Sequence, residues 1–212
     1  MKLLLFGATG AVGKAVLERA LADDSITEVV APTRRLLAIE HAKLVNPVID
    51  FNKLAQLPWW QVDACICALG TTRKQAGSAE AFKAVDLGLV EAIAKRCKAE
   101  GVKHFVLNSS VGAHTGTGLY LSTKKAAEAA VLACDFPATT FVRPGLIDAS
   151  GRPDFRFGEA LALAVLRPFS HLLPTSYRPI EPLQIAQHML ASITRTEGHL
   201  TLENPHLHKA VK

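Results

Sequence analysis

Apolar runs and helical patterns alternate along the chain from its N-terminus. Lys2 to Phe6, Glu28 to Thr33, Leu44 to Ile49, Val62 to Leu69, Lys103 to Asn108 and Thr139 to Val142 read as strands. Between them, Ala11 to Leu21 places Val12, Ala15, Val16 and Ala20 on one helical face, and Ala84 to Cys97 does the same with Leu89, Val90, Ile93 and Cys97. A further helix is predicted over Leu119 to Ala133. Strand and helix in alternation predict an α/β fold, a doubly wound parallel sheet with crossover helices on its faces. Pro47 cannot donate to a ladder, which puts the third strand at an edge. After Pro144 the alternation weakens, leaving prolines at 153, 168, 174, 179 and 182 and short helical patterns at Gly158 to Leu166 and Leu183 to Ile193.

Composition narrows this picture. A chain of 212 residues, 49% hydrophobic and 20% charged, predicts one globular domain over 1–212, in which 146–212 shapes a substrate pocket. The apolar run Ala160 to Leu166 is far too short to span a bilayer, so no membrane partner is expected. Leu3 to Phe6 lead straight into glycines that the fold needs, with no secretory signal before them, and a cytoplasmic location is expected. Cys65, Cys67, Cys97 and Cys134 have no metal-ligand spacing and read as buried free thiols; Cys65 and Cys67 face one side of a strand. The net charge of +5 comes from scattered basic residues without a basic-aromatic stripe, which argues against nucleic acid and suits a polyanionic cofactor.

Four segments carry candidate chemistry. The first, Gly7-Ala8-Thr9-Gly10-Ala11-Val12-Gly13, lies after a strand and before an amphipathic helix. There, small residues allow a tight turn and let backbone N–H groups approach a dinucleotide pyrophosphate. Arg34 and Arg35 follow the second strand, where an acidic residue would instead accept from ribose hydroxyls; their charge favours a 2′-phosphate, hence NADP. Asp50, after the third strand, can bond the adenine amino group or cap the next turn. Gly70 ends the fourth strand where a missing Cβ permits close approach to cofactor, and Arg73 and Lys74 follow in a polar loop.

Tyr120 and Lys124, at i and i+4, share a helical face. A phenol must be made more acidic to act near neutrality, and an ammonium beside it does that, so Tyr120 is the candidate general acid. A serine would orient the developing alkoxide. Strand alternation lets only one of Ser109 and Ser110 point into the site, and Ser110 is preferred. Arg143-Pro144-Gly145 ends the sixth strand, where a rigid turn can bring the backbone of Leu146 and Ile147 to a nicotinamide carboxamide. His114 lies near these segments, while His206 and His208 lack further metal ligands; no metal is expected.

With these residues in place the chain resembles the short-chain dehydrogenase/reductase superfamily, in its atypical branch with a Gly-x-x-Gly-x-x-Gly turn. More narrowly it resembles the Tat-interacting-protein group, through Thr33-Arg34-Arg35, Ile49-Asp50-Phe51, Leu69-Gly70-Thr71-Thr72-Arg73, Ser109-Ser110, Leu119-Tyr120-Leu121 with Lys124, and Arg143-Pro144-Gly145. The interval from Ser110 to Tyr120 is shorter than in many members. The resemblance implies an NADPH-binding Rossmann domain with Ser110, Tyr120 and Lys124 in catalytic roles. Two expectations follow: a reductase of a small carbonyl compound, or an NADP(H)-sensing regulator that contacts another protein.

Overall fold

The computed structural model describes residues 1–56, 60–148 and 174–211. Strand β1 (Lys2–Phe6) buries Leu3, Leu4, Leu5 and Phe6 completely, as a strand covered on both faces must. Its side chains alternate between two cores. Leu3 and Leu5 pack with Val16 and Leu17 of helix α1 (Ala11–Ala22), while Leu4 and Phe6 lie on the opposite face. Burying one such leucine contributes about 2 kcal/mol.

Strands β2 (Glu28–Val30), β3 (Leu44–Val45), β4 (Ala64–Cys67), β5 (His104–Asn108), β6 (Ala138–Arg143) and β7 (Gly198–Glu203) join β1 in one parallel sheet. Its seven strands run in the order β3-β2-β1-β4-β5-β6-β7, a doubly wound Rossmann arrangement. The Leu4 face is covered by α4 (Val90–Ala99) and α5 (Gly118–Leu132), through Val90, Ile93, Ala127 and Val131. Helix α6 (Pro182–Ser192) joins α1 on the other face through Ile185, Ala186 and Met189. Short helices α2 (Arg73–Ala76) and α3 (Ala79–Lys83) follow β4, and α7 (Asn204–Leu207) follows β7.

Several expected boundaries shift for identifiable reasons. β2 stops before Pro32, which has no N–H for the ladder, and pairing resumes as a single bridge between Thr33 and Val48. β3 lies at the edge as Pro47 required, although it is only two residues long. The predicted helix over Ala84 to Cys97 opens with a π-helical turn, Ala84–Leu89, before α4 begins. β7 has no counterpart in the predicted strands, because its Gly-His-Leu-Thr-Leu-Glu pattern is short, half polar and only partly buried at the far edge. The pattern at Leu183 to Ile193 becomes α6, and the one at Gly158 to Leu166 lies outside the described residues. Cys65, Cys67 and Cys97 are buried free thiols as expected, and Cys134 is half-buried.

The strand order reverses at β1, which has β2 on one side and β4 on the other. In such sheets ligands bind in the crevice outside the strand C-termini at that reversal. The turns after β1, β4, β5 and β6 all open onto this edge.

Candidate active site

Gly7 leaves β1 with φ +88°, a conformation only glycine adopts without strain. A Cβ there would lie 2.6 Å from the Ala68 backbone, and one on Gly13 would lie 2.0 Å from the Gly7 carbonyl oxygen. Gly10 donates its N–H to that same carbonyl at 2.8 Å, and its own missing Cβ would lie 3.1 Å from it. The three glycines therefore fold the turn flat against the end of β4. Gly10 caps α1 with no side-chain hydrogen bond, and the first turn carries no acidic residue. Thr9 is exposed, Ala11 half-buried and Val12 buried, so the turn presents its backbone and the Thr9 side chain. An uncapped helix N-terminus behind a cradle that any Cβ would fill fits a dinucleotide pyrophosphate.

On the β2 side of the crevice, Arg34 and Arg35 are exposed, and neither guanidinium meets a carboxylate among the described residues. The loop beneath them is fixed. Thr33 donates its hydroxyl to the Arg35 carbonyl at 2.6 Å, and Asn46 donates to the Ala31 carbonyl at 2.6 Å and the Thr33 hydroxyl at 2.8 Å. Asp50 uses Oδ1 to accept from the backbone and side-chain nitrogens of Asn52, each at 3.0 Å, and so caps the turn Phe51–Gln56.

Tyr120 and Lys124 lie one turn apart in α5. Lys124 is buried, and its Nζ stands 2.8 Å from Asp86 Oδ1. Asp86 Oδ2 accepts from the Thr71 backbone N–H at 2.8 Å. Gly70 adjoins both charges: a Cβ there would sit in ordinary contact, 3.8 Å from Asp86 Oδ1 and 3.9 Å from Lys124 Nζ. Burial is the largest single influence on Lys124 and would lower its pKa, but the Asp86 carboxylate, together with Tyr120 and Cys67, outweighs it and the pKa is raised. Tyr120, by contrast, is 46% exposed. Its ring centroid lies 6.0 Å from that of buried Phe82 and 6.0 Å from Lys124 Nζ. Asp86 was missed in the sequence. Its spacing from Phe82 and Val90 at i−4 and i+4, which puts an acid on an apolar helical face, is the signal that could have found it.

The chain leaves β5 through Ser109, whose N–H donates to the Val142 carbonyl at 2.7 Å, and Val111, which donates to the Pro144 carbonyl at 2.9 Å. The serine pair is thereby set beside the Arg143-Pro144 turn. Ser109 is buried, and its hydroxyl has no hydrogen-bond partner among the described residues. Ser110 is half-buried, with a long 3.4 Å contact from its hydroxyl to the Val111 carbonyl. The guanidinium of Arg143 is committed elsewhere, to Glu128 of α5 at 2.9 and 2.6 Å and to Glu203 of β7 at 2.7 Å. Hydrogen bonds from Arg143 to Glu128, with a smaller contribution from Glu203, raise its pKa despite partial burial. Behind it, fully buried Asn204 accepts from the Gly145 N–H at 2.8 Å and donates to the carbonyls of Thr175 and Arg178 at 2.8 and 3.0 Å. Leu146 accepts from the Ile180 N–H at 2.9 Å. Asn204 is thus a second missed residue, which fastens the turn after β6 to the C-terminal segment.

Comparison with known proteins agrees with this geometry. A family model described as NAD(P)H-binding matches residues 7–162. Protein HTATIP2 of Rattus norvegicus is 38% identical over 181 residues, covering 82% of this chain and 72% of its own. Protein FMP52-1, mitochondrial, of Scheffersomyces stipitis is 31% identical over 195 residues, covering 88% and 85%. Among solved structures, MoeE5 in complex with UDP-glucose and NAD superposes with a TM-score of 0.73 at 18% identity, over 95% of this chain and 75% of that one. That likeness shows the fold alone, a Rossmann sheet. The expected cytoplasmic location is overturned, since the FMP52 relatives from Scheffersomyces stipitis, Candida albicans and Meyerozyma guilliermondii are named mitochondrial. Hydropathy could not have shown this; no helix among the described residues is long and apolar enough to cross a membrane. The chain belongs to the NAD(P)H-binding family, with relatives among the atypical short-chain dehydrogenase/reductase-like proteins HTATIP2 and FMP52.

Proposed function

We propose that this protein is an NADPH-dependent reductase of a small carbonyl compound, with Tyr120 as general acid. The observation that carries the proposal is the pairing of a half-exposed tyrosine with a buried, charged lysine one helical turn away. In this reading the backbone from Gly7 to Gly13 holds the pyrophosphate. Arg34 and Arg35 hold the 2′-phosphate, Asp50 meets the adenine, and Gly70 gives way to the ribose. Pro144 and Leu146 present backbone at the carboxamide, and Arg143, its own charge taken up by Glu128 and Glu203, steadies that turn. When bound, NADPH supplies the hydride. Tyr120 gives its proton to the substrate oxygen, Ser110 donates a hydrogen bond to the same oxygen, and Lys124 stabilises the phenolate left behind. The whole chain acts as one domain, with 146–212 shaping the substrate pocket.

The test is NADPH oxidation over a panel of small aldehydes, ketones and quinones. Tyr120→Phe is expected to lower kcat by about 10²-fold or more, the usual contribution of a positioned acid. Its NADPH affinity should stay within about twofold, because in this reading other residues hold the nucleotide. Undiminished turnover in Tyr120→Phe would sink the proposal and leave an NADP(H)-bound regulator as the better reading.

A further inference from the structure

The geometry points to Asp86 as the positioning residue of this site, the group that holds the Lys124 ammonium in place and sets the charge that Tyr120 faces. The inference rests on the reductase reading for its kinetic consequence but not for its physical one. Lys124 and Asp86 have side-chain exposures of 6% and 0%, so water screens neither. An ammonium that deep keeps its proton only beside a counter-charge. The titratable groups acting on Lys124 are Asp86, from the π-helical turn, Tyr120, from its own helix, and Cys67, from β4. Burial pushes the Cys67 thiol up to about 12, and the carboxylate that meets the Lys124 ammonium among the described residues is that of Asp86.

The carboxylate is itself held at both oxygens, one by Lys124 and one by the Thr71 N–H of the loop after β4. It also stands on Ala84–Leu89, a π-helical turn of the kind that is rare and often found at functional sites. One residue thereby fixes the lysine relative to both α5 and the floor of the crevice. Tyr120 therefore meets an ammonium whose charge is partly balanced from behind.

Asp86→Asn separates charge from shape, since the amide oxygen can still accept from Thr71. Two consequences are open to the uncompensated site. Either Lys124 stays charged and acidifies the phenol further, or it loses its proton. The first moves the alkaline limb of kcat for reduction to lower pH and the second, with no ammonium left to acidify the phenol, moves it to higher pH, in each case by about one unit or more. A uniform fall in kcat at every pH, with the limb unmoved, would mark Asp86 as merely structural.

A second readout needs no substrate. The chain has two tyrosines, so in a Tyr177→Phe background the ultraviolet phenolate signal reports Tyr120 alone. Asp86→Asn is expected to shift that midpoint, and an unchanged midpoint overturns the inference. If Asp86→Asn fails to fold, the neutral pair Asp86→Asn with Lys124→Met is titrated instead; the midpoint should rise with the ammonium gone, and no movement again overturns it. Failure of Tyr120→Phe to lower turnover would remove the reductase reading, while the phenolate midpoint would still test Asp86 independently.

Discussion

Arg34 and Arg35 make no side-chain contact among the described residues that folding would miss, which sets them apart from the other cations of the site. Replacing both with alanine should leave stability within about 0.5 kcal/mol, as for surface changes elsewhere. NADPH should nevertheless bind at least tenfold more weakly, because a charge-assisted phosphate contact is worth about 1.5–3 kcal/mol. NADH affinity should hold. Fluorescence titration of both nucleotides decides the matter, and equal losses would refute a 2′-phosphate role. At this scale the sequence was legible wherever chemistry is local. Gly7, Gly10 and Gly13, and Tyr120 with Lys124, stand at spacings that follow from a tight turn or a helical repeat. Asp86 and Asn204 were hidden because their partners are distant in sequence: Lys124 lies on another helix, and Gly145 is reached across 59 residues.

Helix α5 is held at two points, by Lys124 to Asp86 and by Glu128 to Arg143. The second clamp extends to Glu203, so a single guanidinium ties α5, β6 and β7 together. Arg143→Met should therefore be far more costly than loss of a surface ion pair. It strands the carboxylate of Glu128, whose side chain is 6% exposed, and should lower unfolding free energy by about 3 kcal/mol. Urea denaturation measures this directly, and a loss below about 1 kcal/mol would mean the clamp is no stronger than an exposed pair. Elements buried on both faces, β1 and β4 to β6, were readable as apolar runs, whereas β7 was not, because an edge strand half open to solvent needs no such run. The π-helical turn was equally invisible, since its residues Ala84 to Leu89 fit an ordinary helical pattern and its extra width shows only in hydrogen bonding.

Across the whole molecule the sheet separates its two ends. The turns of the candidate site lie at the strand C-termini, while buried His104 opens β5 at the other end, with Nε2 2.9 Å from the Thr140 hydroxyl. Burial outweighs nearby backbone carbonyls and lowers its pKa to about 4. Its folded pKa lies below the unfolded value of about 6.5, so the unfolded chain binds more protons in between. His104 therefore favours the fold fully above about pH 6.5 and loses that contribution as pH falls towards 4, on the order of 3 kcal/mol. Comparing unfolding free energies at high and low pH in wild type and His104→Gln tests this: the gap should narrow by that amount, and an equal gap in both would clear His104 of the effect. Alternation made the α/β architecture readable in the sequence, but charge and hydropathy carry no cellular address, which is why the expected location failed. Gly10, at the N-cap of α1, offers no side chain to that helix end. A nucleotide phosphate would complete that helix end, and binding at a hundred times Kd adds about 2.7 kcal/mol to the fold. The nucleotide pool of the cell would then govern how long each molecule survives proteolysis, and protein abundance would become a slow record of metabolic state.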